Sequence, residues 1–106
     1  MSLTKEYKAT VLARIKRDSK FAQALYAEAI NAILEGEIEE GLSMLRDLVH
    51  AEISFKALAQ QTGFGEKTLH RMLGCHGNPT AKSLALIINA IRKDLGFIPR
   101  VTVAAA

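Results

Sequence analysis

Cys75 stands beside His76, with His70 five residues upstream, in a chain of 106 residues that holds one cysteine and three histidines. A thiolate nucleophile needs a base held in line by a third group across a pocket. A structural zinc site needs about four ligands, and one Cys with two His supplies three at most. Gly63, Gly65, Gly74 and Gly77 have no strand before them and no lysine in the place a phosphate-binding loop requires. Glu35, Glu37, Glu39 and Glu40 straddle Gly36 with no histidine beside them, which suits a solvated helix start. These patterns predict no enzyme, no metal and no cofactor.

The stretch GFGEKTLHRMLGCHGNP, residues 63 to 79, offers different chemistry. Glu66, Lys67, His70 and Arg71 lie on about two helical turns between two glycine-rich breaks. Lysine and arginine donate to base edges, arginine in bidentate fashion to guanine, and a glutamate accepts from cytosine. Such contacts need a short helix held away from the body of the protein. The residues before it provide one: Ile53 and Ser54 form a staple-and-cap pair introducing FKALAQQT, a helix of about two turns. Gly63 permits a left-handed turn, and Ala59 is small where the two helices pass. Phe64, Leu69 and Met72 fall on the inner face with Leu58, leaving Glu66, Lys67, Thr68, His70 and Arg71 outward. Two short helices joined by a glycine turn describe a helix-turn-helix.

The rest of the chain is helical in pattern. Thr4 is the expected N-cap of a first helix carrying Tyr7, Val11, Leu12 and Ile15. Asp18 and Ser19 interrupt it and cap a second, running to about Glu35. There Phe21, Leu25, Ala29 and Ile33 form one stripe, and Tyr26, Ile30 and Leu34 an adjoining one. That wide apolar arc implies deep burial or a protein partner. Gly36 ends this helix. A third carries Ile38, Leu42, Leu45 and Val49 on one side, and the chain is expected to turn near Glu52. The quoted helix spans roughly Glu66 to Leu73. Thr80 caps a last long helix with Leu84, Ile87, Ile88, Ile91 and Leu95 at a 3.6-residue period, and Gly96 stops it. PRVTV then has strand propensity. The fold class expected is all-α, five to six helices, with a possible short C-terminal β-strand at a dimer contact. The expected organisation is one compact domain: a helical region over residues 1–52, the DNA-binding region over 53–96, and a strand or tail over 97–106.

Charge is divided unevenly. Residues 1–50 carry seven Lys/Arg against eight Asp/Glu, while residues 51–106 carry seven against three. A basic half joined to a slightly acidic one suggests that one end meets a polyanion. The longest apolar run, Leu84 to Ile88, is far below the roughly 18 residues of a membrane span. The N-terminus lacks the apolar core of a secretory signal, and the single cysteine excludes an internal disulfide, so a cytoplasmic location and no membrane partner are expected.

Residues 53 to 96 resemble the lambda-repressor-like (Cro-type) helix-turn-helix domain. The match runs through Leu58-Ala59, Gly63, Phe64, Leu69, Asn78-Pro79 and the closing Leu84, Ile88, Leu95 and Gly96. Within that group TLHRML and GNPT look most like HigA-type addiction-module antidotes and the regulators similar to them. FAQALYAEAINAILEGEIEEGLSMLRDLV is similar to their N-terminal helices, so the resemblance covers roughly residues 20 to 103. It implies base contacts from Glu66, Lys67, His70 and Arg71. It also implies contacts to the DNA backbone from Ser54, Lys56, Thr68, His76, Asn78 and Lys82. Phe55 departs from a frequent glutamine that steadies a phosphate contact, Leu73 from a frequent acidic residue, and Cys75 from a frequent glycine. The expected function is repressor-like binding of double-stranded operator DNA as a homodimer. The alternative is an antitoxin that covers a toxin protein with its N-terminal helices and regulates its own operon.

Overall fold

The computed structural model describes residues 5–106, which form six α-helices and one wider helical turn. The expected Thr4 cap lies outside the described residues. Helix α1 spans Lys5–Arg17. Asp18 separates it from α2, Ser19–Leu34, and its carboxylate accepts from the Lys20 and Phe21 amides at 3.1 and 3.2 Å. These are two of the donors a helix start leaves unpaired. Gly36, at φ +88°, turns the chain out of α2. Helix α3 runs over Ile38–Leu48 and continues into a π-helical turn, Val49–Ile53. The turn expected near Glu52 is therefore a widening of α3, closed by the Ser54 amide donating to the Val49 carbonyl at 2.8 Å.

Three further helices follow: α4 over Phe55–Thr62, α5 over Glu66–Met72 and α6 over Ala81–Leu95. Thr80 caps α6 by accepting from the Ser83 amide at 3.1 Å, and Gly96, at φ +76°, ends it. Helix α5 stops one residue earlier than its sequence pattern predicts.

Helix α3 is central. Leu42, Leu45, Leu48 and the following Val49 are fully buried, and they share one core with Ile15 of α1, Ala29 of α2, Leu58 of α4, Leu69 of α5, and Ile87 and Ile91 of α6. Each such leucine or isoleucine contributes about 1.5–3 kcal/mol by leaving water. Contact is most extensive between α2 and α3. Gly41 lets them approach, since a Cβ there would sit 2.6 Å from Ile33 Cγ1 and 2.9 Å from the Ala29 carbonyl oxygen. The wide apolar arc of α2 is largely consumed inside the protein. Tyr26 and Ala29 are buried, and Phe21, Leu25, Ile30 and Ile33 pack half-buried against the core, whereas Leu34 stays 65% exposed. Lys8 of α1 also reaches both carboxylate oxygens of Asp47 of α3 at 3.0 Å.

Beyond α6, Phe97 packs its ring 5.9 Å from that of Tyr26. Ile98, Val101 and Val103 are then 70%, 73% and 89% exposed. No strand occurs among the described residues. PRVTV has β propensity but no free edge to pair with in a helical chain, so the expected strand does not form within a single copy. No described helix is long and apolar enough to cross a membrane.

Candidate functional site

The pair α4 and α5 is built from local signals. The Ser54 hydroxyl accepts from the Ala57 amide at 3.1 Å and starts α4. Gly63 leaves α4 at φ +84°, its amide donating to the Ala59 carbonyl at 2.9 Å. Thr62 braces the link: its hydroxyl donates to the Leu58 carbonyl at 2.8 Å and accepts from the Phe64 amide at 3.3 Å. Leu58 and Leu69 are fully buried, while Ala59, Phe64 and Met72 pack half-buried against the same core. The inner face is the one its periodicity predicts.

On the outer face Glu66, Lys67, His70 and Arg71 are exposed, and Thr68 is half-buried. Glu66 and Lys67 form no ion pair with each other. Lys56, Lys67, Arg71 and Lys82 likewise have no carboxylate partner among the described residues.

His70 differs from its neighbours on α5. Its ring lies on that of Phe55, with centroids 3.8 Å apart and planes 16° from parallel. His50, from the π-helical turn, meets the same Phe55 ring edge-on at 4.8 Å. Phe55 is buried beneath them at 5% exposure. Position 55 therefore presents an apolar ring that the histidines cover, and its side chain has no polar atom to offer. Burial lowers the pKa of His50, the nearby His70 lowers it further, Asp47 opposes, and Arg46 and Lys8 add to the lowering.

The loop after α5 is fastened from α3. Arg46 donates from Nη1 to the Leu73 carbonyl at 3.0 Å. Gly77 presses against the end of α5, where a Cβ would meet the Met72 carbonyl. Cys75, His76, Asn78 and Lys82 lie on the loop and helix start that follow, and all four are exposed. No group of three or more His, Cys, Asp or Glu among the described residues is arranged to hold a metal ion. Sequence reading missed Arg46, His50 and the packing role of Gly77. Only Gly77 carries a local signal, as the one glycine between His76 and Asn78 at the tightest part of the loop.

An open, mainly apolar groove of about 590 Å³ lies along α6 between Lys82 and Arg92, lined by Leu86, Ile88 and Pro99. No residue of α5 lines it. Among known proteins, no family model, no curated protein and no solved structure matches this chain.

Proposed function

We propose that this protein is a sequence-specific DNA-binding regulator of transcription, with α4 and α5 acting as a helix-turn-helix. The observation that carries the reading is the outer face of α5: an exposed two-turn helix whose Lys67 and Arg71 have no carboxylate partner among the described residues. In this reading α5 enters the major groove, where Lys67 and Arg71 donate to base edges and Glu66 accepts. Ser54, Lys56, Thr68, His76, Asn78 and Lys82 meet the sugar-phosphate backbone, which sets register without reading sequence. Ser54 suits that contact, because its oxygen already accepts from Ala57, which leaves the O–H to donate to a phosphate.

A two-turn helix covers about half an operator, and a two-fold pair places two such helices one DNA turn apart. A homodimer completes the reading. The exposed Ile98, Val101 and Val103 are the surface that supports it. Their unpaired strand-forming segment would pair with its counterpart in a second copy.

A toxin partner is the second reading. Leu34 and Ile38, 65% and 37% exposed, sit among exposed Glu35, Glu37, Glu39 and Glu40. That acidic corner with apolar anchors suits a basic protein.

The test of DNA reading is selection of bound duplexes from a random pool, followed by two variants. Arg71→Ala should cost about 1–3 kcal/mol and relax the selected preference. Lys82→Ala should weaken all sequences alike and lower the salt slope by about one unit. Selected-site affinity unchanged by Arg71→Ala would sink the assignment.

A further inference from the structure

Phe55 opens α4 and is 5% exposed, yet the two rings against it, one stacked and one edge-on, come from surface histidines. His70 reaches it from α5 and His50 from the π-helical turn, and the two imidazoles are 6.0 Å apart, centroid to centroid. Besides the Leu58 and Leu69 side of the pair, this stack is a second point at which α5 is held to α4. It lies at the start of α4, opposite the Gly63 turn.

We propose that His70 is a positioning residue: it fastens α5 to the start of α4 through the Phe55 ring, and with His50 on the same ring it makes that docking sensitive to acidity. A neutral imidazole stacks on a phenyl face as another aromatic plane does, shielding it from water. One proton on the pair adds a cation beside a π face. A proton on each imidazole would place like charges 6.0 Å apart on one ring, a repulsion that water weakens at these exposed positions but does not remove. The surroundings bear on the second proton. Arg46 of α3 and Lys8 of α1 add positive charge, and Asp47 is the one carboxylate among the described residues that acts on His50. Asp47 is itself engaged by Lys8.

The sign follows. Burial and His70 put the folded-state pKa of His50 below its ordinary 6.5, so the folded chain binds fewer protons than the unfolded one. The stability this brings is present above about pH 6.5 and is lost as pH falls through the lowered folded pKa.

The test is amide exchange of the free protein, corrected for intrinsic rates, comparing α5 with α2. In the parent chain, α5 protection should fall several-fold relative to α2 between about pH 7.5 and about pH 5.5. His70→Phe keeps an aromatic plane and removes the imidazole that adds to the lowering of His50, so it should retain neutral-pH protection and lessen the acid loss. His50→Gln should abolish the acid loss. His70→Ala should lower α5 protection at both pH values. An acid loss undiminished in His70→Phe, or one that persists in His50→Gln, overturns the proposal, and so does α5 protection unaffected by His70→Ala.

The bearing on DNA rests on the reading of α5 as the recognition helix, and here the same variants are informative. His50→Gln should keep affinity for the selected duplex at neutral pH, and affinity lost there with α5 protection intact would overturn the assignment of His50 to docking alone. A parent chain that selects no sequence would defeat the proposed function alone, because exchange is read without DNA.

Discussion

Arg46 of α3 holds the end of α5: its Nη1 donates to the Leu73 carbonyl at 3.0 Å, one of the acceptors a helix leaves without an internal partner. Leu73 is fully buried, so little water reaches that end of the helix. Arg46→Met keeps the aliphatic stem and removes the donor. Urea unfolding should show a loss of about 1–3 kcal/mol, with no direct contact to the outer face of α5 disturbed. An unchanged midpoint and slope would mean that water replaces the guanidinium there.

The loop glycines separate packing from flexibility. A Cβ on Gly77 would lie 2.7 Å from the Met72 carbonyl carbon and 2.9 Å from the Arg71 oxygen, both backbone atoms that cannot swing aside. At Gly65 the nearest atom is the side-chain Thr68 Oγ1, 4.0 Å away. Gly77→Ala should therefore cost about 1–3 kcal/mol, whereas Gly65→Ala should stay within about 0.5 kcal/mol of the parent. Equal losses in thermal or urea unfolding would show that contact at Gly77 is not the cause.

Ser54 combines a cap with backbone strain. It is the one non-glycine residue at positive φ among those described, at φ 94° and ψ 149°, a region that costs side-chain-bearing residues about 1–3 kcal/mol. Glycine relieves the strain and is only a few tenths of a kcal/mol poorer as an N-cap. Its greater unfolded-state freedom takes back about 0.5–1 kcal/mol. Ser54→Gly should thus stabilise the fold by about 1 kcal/mol, while Ser54→Ala loses the cap and destabilises it by about 1 kcal/mol. If the Ser54 hydroxyl meets phosphate, both variants should bind DNA more weakly. Stability and affinity then move in opposite directions in Ser54→Gly, a divergence that unfolding and binding curves measured on one preparation would reveal.

The C-terminal segment tests assembly. Truncation after Gly96 removes Phe97 together with the exposed Ile98, Val101 and Val103, so the Phe97 contact with Tyr26 is lost as well. Truncation after Phe97 spares that contact and serves as the cleaner variant. Either truncated chain should be monomeric by light scattering and weaker on a two-site operator than the full chain. A dimer persisting with unchanged affinity rules out the strand pairing and moves the interface to another apolar surface, such as the groove along α6.

Helix starts and stops were legible in the sequence because capping is settled within about four residues. Asp18, Ser54 and Thr80 accept from amides two or three positions on. Gly36, Gly63 and Gly96 take the positive φ that ends a helix. Apolar period likewise identified Leu58, Leu69, Ile87 and Ile91 as buried, since a helix turns its face at a known rate. The apolar width of α2 left burial and partner contact equally open, and only packing against the other elements showed where Tyr26 and Ile30 go. The widening of α3 at Val49–Ile53 had no sequence signature. Arg46 and Leu73 are 27 residues apart, and Lys8 and Asp47 are 39 apart. His70 reads as one more outward polar residue until α4 brings Phe55 beneath its ring. Local hydrogen bonding and periodicity act along one helix, so one chain segment determines them. Which side chain meets which across helices depends on the angle and spacing at which the helices pack, and that is decided only when the whole core closes.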